Sequence, residues 1–269
     1  MKIKNNAKLS FGAGLNTRIL LNEFFANPRK QEKYFLKNYG IITDFADNPS
    51  VAYANRLCLK IFDSLAQKLN IDLDVPPMIT VYAKQRLLQG EGYSNFCIPD
   101  TRAVLSGDLP FVGGSLFFKN YKSLKQVDSI TENLFKNGKT SSNHFLAPFI
   151  HDWLHFFHLD YLYKKHGYPG DCEYMQQLYP LKNTGCDVFE FAQKRLNNEE
   201  NQIVAQQLGS YAAKAENQYF EVFSETFTKF ICECLSKDCT KVTKNPLDLL
   251  RQTPEKFQRI IAKVTDFEA

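Results

Sequence analysis

His151 and His155 stand four residues apart in Phe149-Ile-His-Asp-Trp-Leu-His-Phe-Phe-His158. A helix turns by about 100° per residue, so both imidazoles fall on one face, one turn apart, as two ligands of a single metal must. All five histidines of the chain lie between His144 and His166. Asp152 occupies the place where the pattern H-E-x-x-H carries the glutamate that serves as general base in metal-assisted hydrolysis. The spacing therefore points to hydrolysis by a metal-activated water, with a carboxylate one methylene short. Two hydrogen-bonded core histidines, or two exposed ones, are the plain alternative. His158 falls near the same face but lies about 10 Å along the axis from His151 at ~1.5 Å per residue, too far for both to sit ~2 Å from one ion. It is expected to pack or to support a ligand, and His144 and His166 lie too far along to join.

A catalytic zinc site takes three protein donors and keeps one position open, so a third donor must come from elsewhere. The stretch Asn217-Gln-Tyr-Phe-Glu-Val-Phe-Ser-Glu-Thr-Phe227 offers Glu221 and Glu225, again four apart. A solvated acidic edge is the plain reading. Phe220, Phe223, Phe227 and Phe230 crowd the same helix, however, and predict burial. A buried carboxylate needs a partner, and a metal plus a ligand histidine would supply one for each.

The two motifs, with the closing Thr253-Pro-Glu-Lys-Phe-Gln-Arg-Ile260, resemble the gluzincin metallopeptidases, in particular the C-terminal protease domain of anthrax lethal factor. The resemblance covers residues 75–269 in outline and rests on two short motifs. It implies a zincin-like fold, Zn2+ as cofactor and hydrolysis of a peptide or protein substrate. It further implies His151, His155 and Glu221 as metal ligands, with Glu225 orienting a ligand histidine. Asp152 takes the general-base position, Leu154 replaces a glycine, and Tyr211 matches the tyrosine that steadies the oxyanion. Tyr211 stands further upstream of Glu221 than that family places it. An extended substrate would add to a strand such as residues 114–118. Three outcomes follow from Asp152: a slow peptidase, one whose backbone compensates, or a zinc-binding pseudoprotease that holds peptides as an interaction protein. His151-Asp152 is also similar to the HD metal phosphohydrolases. That pattern needs an earlier histidine on another helix, and only His144 lies upstream.

These residues must be positioned by a chain of 269 residues, long enough for a sizeable core without staples. With 44% hydrophobic and 23% charged residues, wholesale disorder is excluded. The net charge of +4 comes without a dense basic block, so no nucleic-acid partner is expected. No signal peptide and no span of ~20 apolar residues is evident, which predicts no membrane partner. A cytoplasmic location, or export by a non-classical route, is the matching expectation. Seven dispersed cysteines read as reduced, mostly buried thiols.

Residues 1–14 read as a lead-in or a short edge strand. Apolar spacing predicts two helices interrupted at Asn27-Pro28, then a stronger helix over Pro49–Leu69 with Ala54, Leu57, Ile61 and Leu65 on its stripe. Short β-branched or aromatic runs at 78–82, 93–98, 103–106 and 114–118 predict a small mixed sheet. The histidine helix follows, capped by Ser141, Ser142 or Asn143 and running to about Tyr163. Helices near 188–208, 215–235 and 253–266 complete the chain. The order gives an α+β fold class: a helical N-terminal segment over 1–74, then a domain over 75–269 with a small sheet, the active-site helix and a mostly helical C-terminal half.

Overall fold

The computed structural model describes residues 14–73, 80–83, 96–98, 115–119, 121–171 and 173–266. Its first three helices each begin on an asparagine whose side chain accepts a backbone N–H of the first turn: α1 (Thr17–Phe24), α2 (Pro28–Tyr39) and α3 (Pro49–Leu69). In α2 and α3 a proline follows that asparagine, where its fixed φ suits a helix and its missing N–H is not needed. Asn27-Pro28 is thus the expected break between two helices, and it opens the second of them. Gly40 (φ 67°) ends α2 and Asn70 (φ 54°) ends α3, both in the left-handed conformation that stops a helix.

Four short strands form one sheet: β1 (Ile42–Asp44), β2 (Thr80–Ala83), β3 (Phe96–Ile98) and β4 (Ser115–Phe118), in the order β1-β2-β4-β3. β1 and β4 both run parallel to β2, whereas β3 pairs antiparallel with β4, so the sheet is mixed. Three of the expected strands correspond to β2, β3 and β4. Residues 103–106, expected as a further strand, lie outside the described residues. β1 was not legible in Ile-Thr-Asp; its pairing with β2 is what makes it a strand. β4 has a neighbour on each side, so residues 115–118 have no free edge for a substrate strand, which corrects that expectation; β1 and β3 form the edges.

Most described residues are helical. α4 (Leu124–Lys136) leads into α5 (Ala147–His166), the histidine helix. α5 is buried almost all round, which marks it as the central helix of the body. Its N-terminal half packs with α3 and the sheet: Phe118 stacks on Phe149, and Trp153 donates its Nε1–H to the buried Asn55 Oδ1 at 2.8 Å. Residues on both sides of position 74, among them Phe35, Phe45, Leu57, Phe118 and Trp153, share this cluster. Its C-terminal half packs with the helices that follow: α6 (Glu173–Leu178), α7 (Val188–Gln193), α8 (Asn198–Leu208), α9 (Ser210–Lys214), α10 (Gln218–Glu233), α11 (Pro246–Arg251) and α12 (Glu255–Thr265). The helix expected over 188–208 is split into α7 and α8. Asp187 and Asn197 each open a helix with a full capping box closed by Glu190 and Glu200.

Among the described residues no helix is long and apolar enough to cross a membrane. Cys58, Cys186, Cys232, Cys234 and Cys239 are free thiols.

Candidate metal centre

The centre forms where α5 crosses α10. The spacing of four in each helix puts His151 and His155 on the face of α5 that meets α10, and Glu221 and Glu225 on the face of α10 that meets α5. His151 Nε2 lies 3.0 Å from His155 Nε2 and 3.0 Å from Glu221 Oε2, while His155 Nε2 lies 3.5 Å from Glu221 Oε1. Tetrahedral donors ~2.0–2.1 Å from one ion stand about 3.3 Å apart, so the three spacings bracket what a shared metal requires. All three side chains are largely buried. The cluster of His151, His155 and Glu221 could hold a metal ion.

The outer nitrogens make the fit stronger. His155 Nδ1 lies 3.0 Å from Ser224 Oγ, and His151 Nδ1 lies 3.5 Å from Glu225 Oε1. An Nδ1–H of His155 turned outward to Ser224 leaves its Nε2 lone pair turned inward, the tautomer a metal ligand needs, whereas His151 Nδ1 faces Glu225 without a hydrogen bond. Glu225 is itself fixed, its Oε2 accepting from Ser141 N–H at 3.1 Å and Ser141 Oγ–H at 2.6 Å. Asn217 Nδ2 donates to Glu221 Oε1 at 3.2 Å.

Comparison with family models, curated proteins and solved structures finds no match for this chain.

Ser224 and Ser141 complete the centre without standing out in the sequence. Ser224 does carry a signal, since it sits between the two glutamates on the same helix; Ser141 has the type and place of a cap. The N-cap of α5 is Leu146, with no side-chain cap. Ser141, Ser142 and Asn143 are engaged elsewhere: Ser142 Oγ accepts from His144 N–H, and Asn143 Nδ2 donates to Glu132. Replacing Ser224 by alanine is expected to weaken metal affinity by about 10–100-fold, the usual effect of losing an outer partner of a ligand histidine, as measured by competition with a chromophoric chelator.

Burial pushes the His151 imidazole down, but hydrogen bonding to Glu221 and the charges of Glu221, Glu225 and Asp152 outweigh it and raise its pKa to about 9. Burial alone would raise Glu221; His155 and His151 outweigh it and hold that carboxyl well below its usual range. His151 Nε2 lies within hydrogen-bond distance of both Glu221 Oε2 and His155 Nε2, so its added proton has acceptors on either side. His151 is favoured in its charged form by folding, so its contribution to stability is full below the unfolded value of 6.5 and is lost as pH rises toward about 9. Glu221 contributes above its unfolded value of 4.5, and that contribution disappears as pH falls. Chelator-treated protein is therefore expected to be most stable between about pH 4.5 and 6.5 and to lose up to about 3 kcal/mol by pH 9. Metal affinity should rise over the same alkaline range, because binding displaces the proton. Urea unfolding midpoints of chelated protein that stay flat from pH 6 to 9 would count against this ion pair.

The cluster opens into a cavity of about 960 Å³. Asp152, buried, and Tyr211, at the exposed rim, both line it, and the Tyr211 ring centroid is 6.3 Å from that of His151. Burial, followed by the charges of Glu221, Asp152 and Glu225, pushes the Tyr211 phenol far above its ordinary value, so it stays a neutral donor. The strap carrying Tyr211 is pinned by backbone bonds from Ser210 N to Gly138 O (2.8 Å) and Tyr211 N to Lys139 O (3.1 Å). Gly209 (φ 93°) permits this approach, since a Cβ there would stand 2.9 Å from Gly138 O. Leu159, Val188, Phe189, Ala192 and Phe220 give the cavity an apolar lining.

The remaining histidines take other roles. His158 stacks on Phe223 at 4.0 Å, and burial lowers its pKa to about 3, keeping it neutral. His144 precedes α5; its Nδ1 accepts from Leu146 N–H and its Nε2 faces Cys239 Sγ at 3.6 Å. His166, at the far end of α5, pairs through Nε2 with Asp266 Oδ2 at 2.6 Å.

Proposed function

We propose that the protein is a zinc-dependent peptidase acting at the cluster of His151, His155 and Glu221. The observation that carries the reading is the convergence of two imidazole Nε2 atoms and one carboxylate beside a cavity that Asp152 and Tyr211 also line. Two histidines and one glutamate are a donor set of zinc hydrolases, and with no family match this chemistry stands on the residues themselves.

Zinc bound there would polarise a peptide carbonyl and lower the pKa of a water toward ~7. The chain supplies the rest. Asp152 takes the proton of the attacking water on its carboxylate and passes it to the departing amine. Tyr211, kept neutral, donates its O–H to the oxygen on which charge develops. Glu225 and Ser224 hold the two imidazoles in place, and the apolar wall from Leu159 to Phe220 excludes water and receives a side chain of the substrate.

The test is peptide-library cleavage by freshly purified protein together with its metal content. Expected are about one zinc per chain and cleavage of internal peptide bonds that a chelator abolishes and zinc restores. Wild-type protein without zinc would overturn the reading. One observation favours a second reading, a zinc-binding pseudoprotease that holds a peptide in the cavity: the carboxylate at position 152 is an aspartate. Zinc retention without cleavage of any peptide, and with measurable peptide binding, would select it.

A further inference from the structure

α1 turns Ile19 and Glu23 inward, and Glu23 Oε1 accepts both Ser50 Oγ–H (2.6 Å) and Leu124 N–H (2.7 Å). These contacts fix the rotation of the helix and leave Arg18, Leu21, Phe24 and Phe25 facing out. Phe24 is 80% exposed and Phe25 77%, their rings edge-to-face at 5.2 Å, with Leu21 beside them at 54%. Single exposed apolar residues are ordinary, but two adjacent phenyl rings so exposed are not. After a turn of three residues, α2 buries Gln31 and Phe35 and presents Arg29, Lys33, Leu36 and Lys37 at spacings of one helical face.

Residues 14–40 hold five Lys or Arg and two Glu, a net of +3. Of the two glutamates, Glu23 is buried in its hydrogen bonds and Glu32 accepts from Phe45 N–H. Among the described residues Arg29 pairs with Asp47 at 3.6 Å with both side chains in water, and no ion pair involves Lys30, Lys33 or Lys37.

We propose that the outward faces of α1 and α2 are a peripheral docking surface for anionic lipid headgroups. The rings are exposed, and the exposed cations Arg18, Arg29, Lys30, Lys33 and Lys37 lie on the same two helices. That arrangement suits the headgroup boundary of a bilayer, where phenyl rings enter the acyl edge while Lys and Arg meet phosphate and carboxylate. A second copy of the chain would bring like charge against like charge.

The test is sedimentation of the full chain with vesicles of phosphatidylcholine alone and of phosphatidylcholine containing about 30% phosphatidylserine. Binding is expected to the mixed vesicles only, and to weaken as salt is raised. The double substitution Phe24→Ser/Phe25→Ser should reduce it by roughly tenfold or more, as should Lys33→Glu/Lys37→Glu. All four side chains are exposed, so thermal unfolding curves should stay as in wild type. Three results would overturn the proposal: no binding to either vesicle, undiminished binding after the phenylalanine substitutions, or a dimer in solution that those substitutions dissociate while vesicles go unbound.

Discussion

Replacing Glu221 by alanine is expected to leave the purified protein with less than about a tenth of the zinc carried by wild type, measured by elemental analysis after gel filtration. Three side chains converge on one point, and a site of three protein donors keeps little affinity when reduced to two. Outer partners alone change affinity by about 10–100-fold, and a direct ligand should exceed that. Glu221→Gln is the informative companion: it keeps the length and one oxygen but removes the charge that faces both imidazoles at 3.0 and 3.5 Å. It should fall between wild type and Glu221→Ala. The loss need not be a loss of fold. Removing the carboxylate also removes the main reason His151 holds a proton, so His151 can remain buried without a counter-charge, and circular dichroism should match wild type. Zinc content that is unchanged in a folded Glu221→Ala protein would remove Glu221 from the donor set and with it the peptidase reading.

The centre was legible because its residues recur at a helical spacing within two short stretches. Four-residue intervals place His151 with His155, and Glu221 with Glu225, before anything is known of the packing. That the two pairs face each other was an inference from burial: carboxylates on a helix crowded with phenylalanine need partners. What was not legible depends on how α5 crosses α10. Ser224 reaches His155 and Ser141 reaches Glu225 only because those helices meet where they do. The same crossing takes Ser141 away from the capping role its type and place suggest. In the fold, α3 could be read from its apolar stripe, whereas β1 is a strand through its pairing with β2. The burial of β4 between β2 and β3 likewise depends on strand order, which the spacing of apolar runs does not encode.

Extending Asp152 to glutamate is expected to raise kcat/KM on a fluorogenic peptide by up to about 100-fold, with zinc content unchanged. Aspartate draws its carboxylate back by on the order of 1 Å, and misplacement of a proton-transfer group by that much costs about 100-fold, close to 3 kcal/mol of barrier. The gain should appear in kcat, because a general base acts on the proton in flight and adds little to the binding of the ground state. Asp152 is buried where it lines the cavity, so the extra methylene must be received by the open side if it is not to strain the core. An unfolding temperature close to wild type would show that it is. Asp152→Asn should lower any wild-type activity while leaving zinc in place, which separates proton transfer from metal binding. A drop in activity for Asp152→Glu, with zinc retained, would mean that α5 is already placed to suit the shorter side chain and that wild type is the competent peptidase. Silence from both Asp152→Glu and wild type, with zinc bound in each, would move the assignment to a protein that holds peptides without cutting them.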